Sequence, residues 1–157
     1  MEIIIRFQKG YRFFSNFWLA EIEYEGIRYP STEHGYQAAK TIDVKEKKYI
    51  ADLKKCGEAK RAGRNVNIRP DWNEVKDKIM LDLVRIKFST HKDLADKLLD
   101  TKDAILVEGN HWCDNHFGVC YCEKCNGIGD NILGQVLMQV REELKKDKQL
   151  EIELEKI

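Results

Sequence analysis

Ile3, Ile5 and Phe7 alternate with Glu2, Ile4 and Arg6, which reads as an opening strand. Gly10 to Trp18 follows, a run too aromatic for an ordinary loop. Glu21-Ile22-Glu23-Tyr24 and Ile27-Arg28-Tyr29 flank Glu25-Gly26, a hairpin signal. Pro30-Ser31-Thr32 then opens a helix, with a hydroxyl available as N-cap. The spacing predicts a second helix over 44–56, with Tyr49, Ile50 and Leu53 inward, and a short, basic, glycine-punctuated segment over 57–67. A third helix starts at Asp71, whose carboxylate can cap it, with Glu74 placed as in a capping box. Val75, Ile79, Leu83 and Ile86 recur at helical spacing and face the core. Leu94, Ala95, Leu98 and Leu99 mark a short fourth helix, and Ala104 to Val107 a strand. A glycine- and cysteine-rich loop covers 108–129, and a last helix runs over 131–145. Beyond it, Leu150, Ile152, Leu154 and Ile157 are set among charges in a tail that extends the helix or frays. There is no internal repeat and no linker. The expected fold is α+β, a helix-rich single domain over 1–145 with a small, mainly antiparallel sheet, and a charged tail over 146–157.

Composition narrows the class. At 157 residues and 43% apolar, the chain can bury one core. Its 27 basic and 27 acidic residues cancel, so no global field draws it to nucleic acid or anionic lipid. A nucleic-acid substrate would need a local patch. No stretch approaches the ~18 apolar residues of a membrane helix, and the charged N-terminus is not a signal peptide. A cytoplasmic location without membrane attachment is the expectation. Five cysteines, an odd number without an export signal, argue against a disulfide framework.

Candidate chemistry concentrates in a few places. Glu33, Tyr36, Gln37 and Lys40 fall at i, i+3, i+4 and i+7, on one helix face. Spacing alone favours a solvated stripe; the sharper alternative is a pocket wall with an acid/base carboxylate in its first turn. The loop Gly109 to Gly118 is dense in Gly, Asn, Asp and aromatics, a composition suited to a site, or to a structural turn whose Trp112 fills the core. In Phe14-Ser15-Asn16-Phe17, Asn16 either orients a ligand or caps backbone. Arg61, Arg64 and Arg69 suit phosphate, or form a solvated face. Trp72 is a core anchor or a stacking wall.

Cys120, Cys122 and Cys125 form a C-x-C-x-x-C run near Cys113, His111 and His116. C-x-x-C is the usual zinc half-site, but the standard second half is missing, and Cys113 would have to complete the set alone or with a histidine. Ordinary reduced thiols are the expectation, a structural zinc the alternative. No cysteine has a base partner with a third orienting group, so cysteine catalysis is not expected.

Several segments together resemble the NADAR family. They are Phe14 to Phe17, Tyr29 to Lys40, Gly63 to Val66, Arg69 to Lys76, Leu106 to Asn110 with Trp112, Asp114, Phe117 and Gly118, and Gly129 to Gly134 with Leu137-Met138 and Arg141. Each piece is weak, but the ordered set is specific. It departs from the family pattern at Phe117, where tryptophan is usual, and in the cysteine-bearing stretch 120–125.

The resemblance implies an enzyme that hydrolyses a ribose C1–N bond, on ribosylamino-pyrimidine phosphates of early riboflavin synthesis or on ADP-ribosylated guanine in nucleic acid. Under it, residues 1–145 form the catalytic domain and no cofactor or metal is required. Glu33 is the first choice for the carboxylate near C1, and Asp114 the second. Lys40 offers a Schiff-base route instead. Trp72 and Trp112 flank the base, Asn16 and Gln37 fix its edge, and Arg64 holds phosphate. Phe14, Tyr36, Phe117 and Gly118 complete the expected substrate contacts. The competing classes are a non-catalytic ADP-ribose or nucleotide-binding module and a zinc-stapled interaction domain. The sequence identifies no protein partner.

Overall fold

The computed structural model describes all 157 residues. In chain order the elements are β1 (Ile3–Ile5), a 3-10 helix (Lys9–Phe14), β2 (Leu19–Tyr24), β3 (Ile27–Ser31), α1 (Thr32–Ala38), α2 (Val44–Asp52), α3 (Cys56–Ala62), α4 (Trp72–Thr90), α5 (Lys92–Asp100), β4 (Ile105–Val107), β5 (Gly109–Asn110), β6 (Val119–Cys120) and α6 (Ile132–Glu155). They form two units, Ser15–His91 and Met1–Phe14 with Lys92–Ile157. The class is α+β. The longest strand pair is antiparallel, while the two short pairs are parallel and separate.

In the 15–91 unit, β2 and β3 close around Glu25-Gly26, both left-handed at φ 50° and 81°. Glycine makes the second position free of strain. The hairpin buries Ile22 and Tyr29 on one side. Ser31 then leaves the strand in an extended conformation, and its hydroxyl accepts from the His34 N–H at 3.2 Å, capping α1. α1 has only seven residues, too few to persist alone, and all seven are buried. It holds its shape because it packs on α2, α3, α4 and both strands. Along α4, Ile79, Met80, Leu83, Val84 and Phe88 are buried, each such large side chain contributing about 1.5–3 kcal/mol of apolar transfer.

In the other unit, β1 runs parallel to β4, pairing Ile4 with Leu106, both buried. α6 packs on β4 and α5 through Leu133, Val136, Leu137 and Val140. Asn131 starts it in a left-handed conformation, φ 55°. Its side chain accepts from the Glu108 N–H at 3.0 Å and donates to the Leu106 carbonyl at 2.9 Å, fastening the helix start to β4. No helix is long and apolar enough to cross a membrane.

Several expectations change. The helix expected over 44–56 stops at Asp52, and a separate helix, α3, covers part of the basic, glycine-punctuated segment to which the spacing assigns no helix. Glu58 accepts from the Lys55 N–H at 3.2 Å and supports that second start. Tyr49 points outward, while Ile50 is fully buried. Asp71 does not cap α4; its carboxylate pairs with Arg69 at 2.6 and 3.1 Å, a stronger, charge-assisted partner. The aromatic run begins with the 3-10 helix, and the tail continues α6 to Glu155.

Candidate active site

The polar stripe on α1 is buried rather than solvated. Glu33, Tyr36 and Gln37 are 8%, 8% and 3% exposed. The Gln37 amide N–H donates to Glu33 Oε1 at 2.7 Å, while Gln37 Oε1 is buried with no partner. An unmatched buried acceptor costs folding free energy of about 1–3 kcal/mol. Gln37 has little freedom: a Cβ on Gly63, just past α3, would overlap its carboxamide. The Glu33 N–H donates to the Asn16 carbonyl at 3.1 Å, and the Asn16 amide points at Met80 Sδ, 3.3 Å away.

Lys40 lies just beyond the end of α1, half-buried, with Nζ 5.7 Å from the Tyr36 ring centre. Burial pushes its amine below the ordinary lysine value. The Glu33 charge opposes that, and Arg64 and Lys60 add to it. Trp72 opens α4, is buried, and sets its ring 5.1 Å from that of Tyr36. Arg64 is exposed. This unit therefore gathers Asn16, Glu33, Tyr36, Gln37, Lys40, Arg64 and Trp72. A groove of about 620 Å³ in the same unit, lined by Lys45, Glu46, Tyr49, Glu58 and Arg61 among others, holds none of them.

The other unit carries Asp114, Trp112, Phe117, Gly118 and Phe14. Asn110, 1% exposed, builds the loop: its oxygen accepts from the Trp112 and Asp114 N–H groups, both at 3.2 Å, and its amide donates to the Asp114 carbonyl at 2.7 Å. Asp114 Oδ1 accepts from the N–H groups of His116 at 3.2 Å and Phe117 at 3.0 Å, so half of this carboxylate shapes the turn. Trp112 does not fill the core; it is 64% exposed. The Phe117 ring meets His116 edge-on at 4.7 Å. Gly118 is buried where a Cβ would strike the Glu108 carbonyl and the Asn110 amide, which explains the glycine without a ligand. Phe14 has no exposed surface and stacks among Phe7, Tyr11 and Phe13, so its ring serves the core.

Two residues stand out only in the structure. His34, fully buried in α1, bonds Ser31 Oγ and the Leu53 carbonyl. Asn110 organises its loop. Neither carries a periodicity signal, because each acts on backbone or neighbours at irregular spacing. The loop also gathers the thiols of Cys113, Cys120, Cys122 and Cys125, with no histidine among them.

Fold and site define an α+β protein with an acid and an amide on one buried helix face and a half-buried amine just past its end. A family model for the NADAR domain matches residues 6–145, and the chain belongs to that family. It is 37% identical over 137 residues to N-glycosidase YbiA of Shigella flexneri, covering 86% of this chain and 82% of that protein. It is 35% identical to a riboflavin biosynthesis protein of Vibrio vulnificus, over 88% of this chain and 37% of the longer relative. The NMR structure of Escherichia coli YbiA superposes with a TM-score of 0.81 at 34% identity, over 94% of this chain and 88% of that one.

Proposed function

We propose that the chain, an N-glycosidase by its family, hydrolyses the bond between ribose C1 and a nitrogen, with a small phosphorylated ribosylamino-pyrimidine as substrate. The observation that carries this is the buried Glu33 carboxylate, held by Gln37 beside a half-buried amine. Cleaving the C1–N bond develops positive charge on the sugar and leaves electrons on the departing nitrogen. Glu33 offsets the sugar charge and takes a proton from the attacking water; the water oxygen bonds C1, and a proton ends on the released nitrogen. The open acceptor of Gln37 and the Tyr36–Trp72 pair fix the base. Arg64 receives phosphate. The chain's zero net charge and the name of the Vibrio relative support the small substrate.

One observation favours a second route. Burial increases the neutral fraction of Lys40, and a neutral amine can attack C1 and expel the base, which leaves with a proton given up by the amine; the bond from C1 to the ring oxygen then opens to an imine, and water hydrolyses it to free the sugar and the amine.

The test is released sugar from two substrates, a phosphoribosylamino-pyrimidine and an ADP-ribosylated guanine oligonucleotide, with wild type, Glu33→Gln and Lys40→Ala. We expect turnover of the first substrate and a loss on the order of 10²–10⁴-fold in Glu33→Gln. A near wild-type rate in Glu33→Gln, with Lys40→Ala inactive and a borohydride-trapped adduct on the parent enzyme, transfers the chemistry to Lys40. Turnover of the oligonucleotide alone reassigns the substrate, and binding without released sugar from either makes the chain a binding module.

A further inference from the structure

The four cysteines of the 108–129 loop come from two pieces of backbone. Cys120, Cys122 and Cys125 sit on a tight turn closed by a bridge between Cys120 and Ile128. The Asn126 N–H donates to the Cys122 carbonyl and the Gly127 N–H to the Cys120 carbonyl, both at 2.8 Å. Asn126 and Gly127 are left-handed, at φ 50° and 77°, which curls the turn behind the thiols. Cys113 arrives from the preceding loop, itself left-handed at φ 65°. Its thiol stands 3.6 Å from that of Cys122, and its N–H donates to Cys120 Sγ at 3.2 Å.

All four sulfurs lie within 4.8 Å of one another. No pair is bonded. Four sulfurs set about 2.3 Å from a central ion at tetrahedral angles stand about 3.8 Å apart, the scale seen here. Both nearby histidines are engaged elsewhere: His111 contacts Arg6, and His116 faces Asp130 at 3.4 Å. The donor set is therefore sulfur alone, which selects a soft or borderline ion over magnesium or calcium.

We propose that Cys113, Cys120, Cys122 and Cys125 bind one zinc ion as a structural tetrathiolate site. Binding converts four thiols to thiolates and releases their protons to solvent. Four protein ligands leave no open position, so the ion has no part in the hydrolysis. The ion joins Cys113 to the C-x-C-x-x-C run, and this one cysteine from the preceding loop stands in for the second half-site that the linear spacing lacks. It also clamps Cys113, and with it Trp112 and Asp114 on either side, to the 120–128 turn.

The test is metal analysis of the full chain purified under reducing conditions without added zinc, with thiol titration before and after chelation. We expect about one equivalent of zinc, four thiols protected until the chelator removes it, and a fall of several degrees in Tm on removal. Cobalt loaded into the stripped protein gives the intense visible absorption of a tetrahedral thiolate complex. Cys122→Ser, altering a partly exposed ligand, loses the metal, whereas Cys56→Ser, in the other unit, keeps it. Less than a tenth of an equivalent of zinc, with no uptake on titration, overturns the site. A full equivalent of iron overturns the zinc assignment, and unchanged zinc in Cys122→Ser overturns the ligand set. Metal content is read without substrate, so its failure is distinct from failure of the proposed hydrolysis.

Discussion

His34 shows how one buried side chain links pH to folding. Its Nε2 faces the Leu53 carbonyl at 2.9 Å, and a carbonyl only accepts, so Nε2 carries the proton. In the neutral ring Nδ1 then accepts from the Ser31 hydroxyl, 2.7 Å away. Burial lowers the pKa below 6.5; the bond to Leu53 and the charge of Glu58 oppose the shift without cancelling it. A group whose folded-state pKa is depressed contributes stability that is complete above its unfolded value and lost as pH falls through the folded one. Tm should therefore decline below pH 6.5 in the wild type, ahead of the carboxylates, and this early decline should be absent in His34→Gln. Identical pH profiles for the two proteins would show that His34 is not the titrating group.

At the scale of elements, α1 depends on its neighbours. The hydroxyl cap and the four-residue polar spacing were readable as a pattern, because both are local in sequence. Its burial was not, because that comes from α2, α3 and α4 closing over a helix too short to declare an apolar face. Shortness also hid α3, whose GEAKRA stretch reads only as a basic, glycine-punctuated segment; Glu58 and the packing of Ala59 fix it as a helix. Gly63 sits where α3 ends against Gln37. Gly63→Ala should push the Gln37 amide off Glu33 and lower kcat on the order of ten- to hundredfold, with the fold retained. Unchanged kcat in a correctly melting variant would mean that the Gln37–Glu33 bond does not position the carboxylate.

For the whole molecule, the α+β class and most elements followed from periodicity, since hairpin, caps and apolar stripes repeat over short windows. The two-unit division did not: it joins Met1–Phe14 to residues 92–157 through β1 and β4, a pairing over about a hundred positions that no window contains. The four thiols were legible as a possible zinc set, because they lie close together in sequence; that Cys113 completes it with no histidine shows only in the folded loop. Residues 146–157 are exposed throughout. Removing them should leave turnover unchanged and shift Tm by only a few degrees; a collapse of the melting transition would show that the last turns of α6 hold the fold.

Gly118 has a consequence for how relatives are compared. Backbone crosses backbone there, with no room for even one methyl group. Selection will retain glycine at that crossing whatever base the protein takes, and will do so in a descendant that has lost activity. Its persistence along a lineage is a record of chain geometry and gives no vote on chemistry, whereas drift at Glu33 or Gln37 would be the mark of a changed substrate.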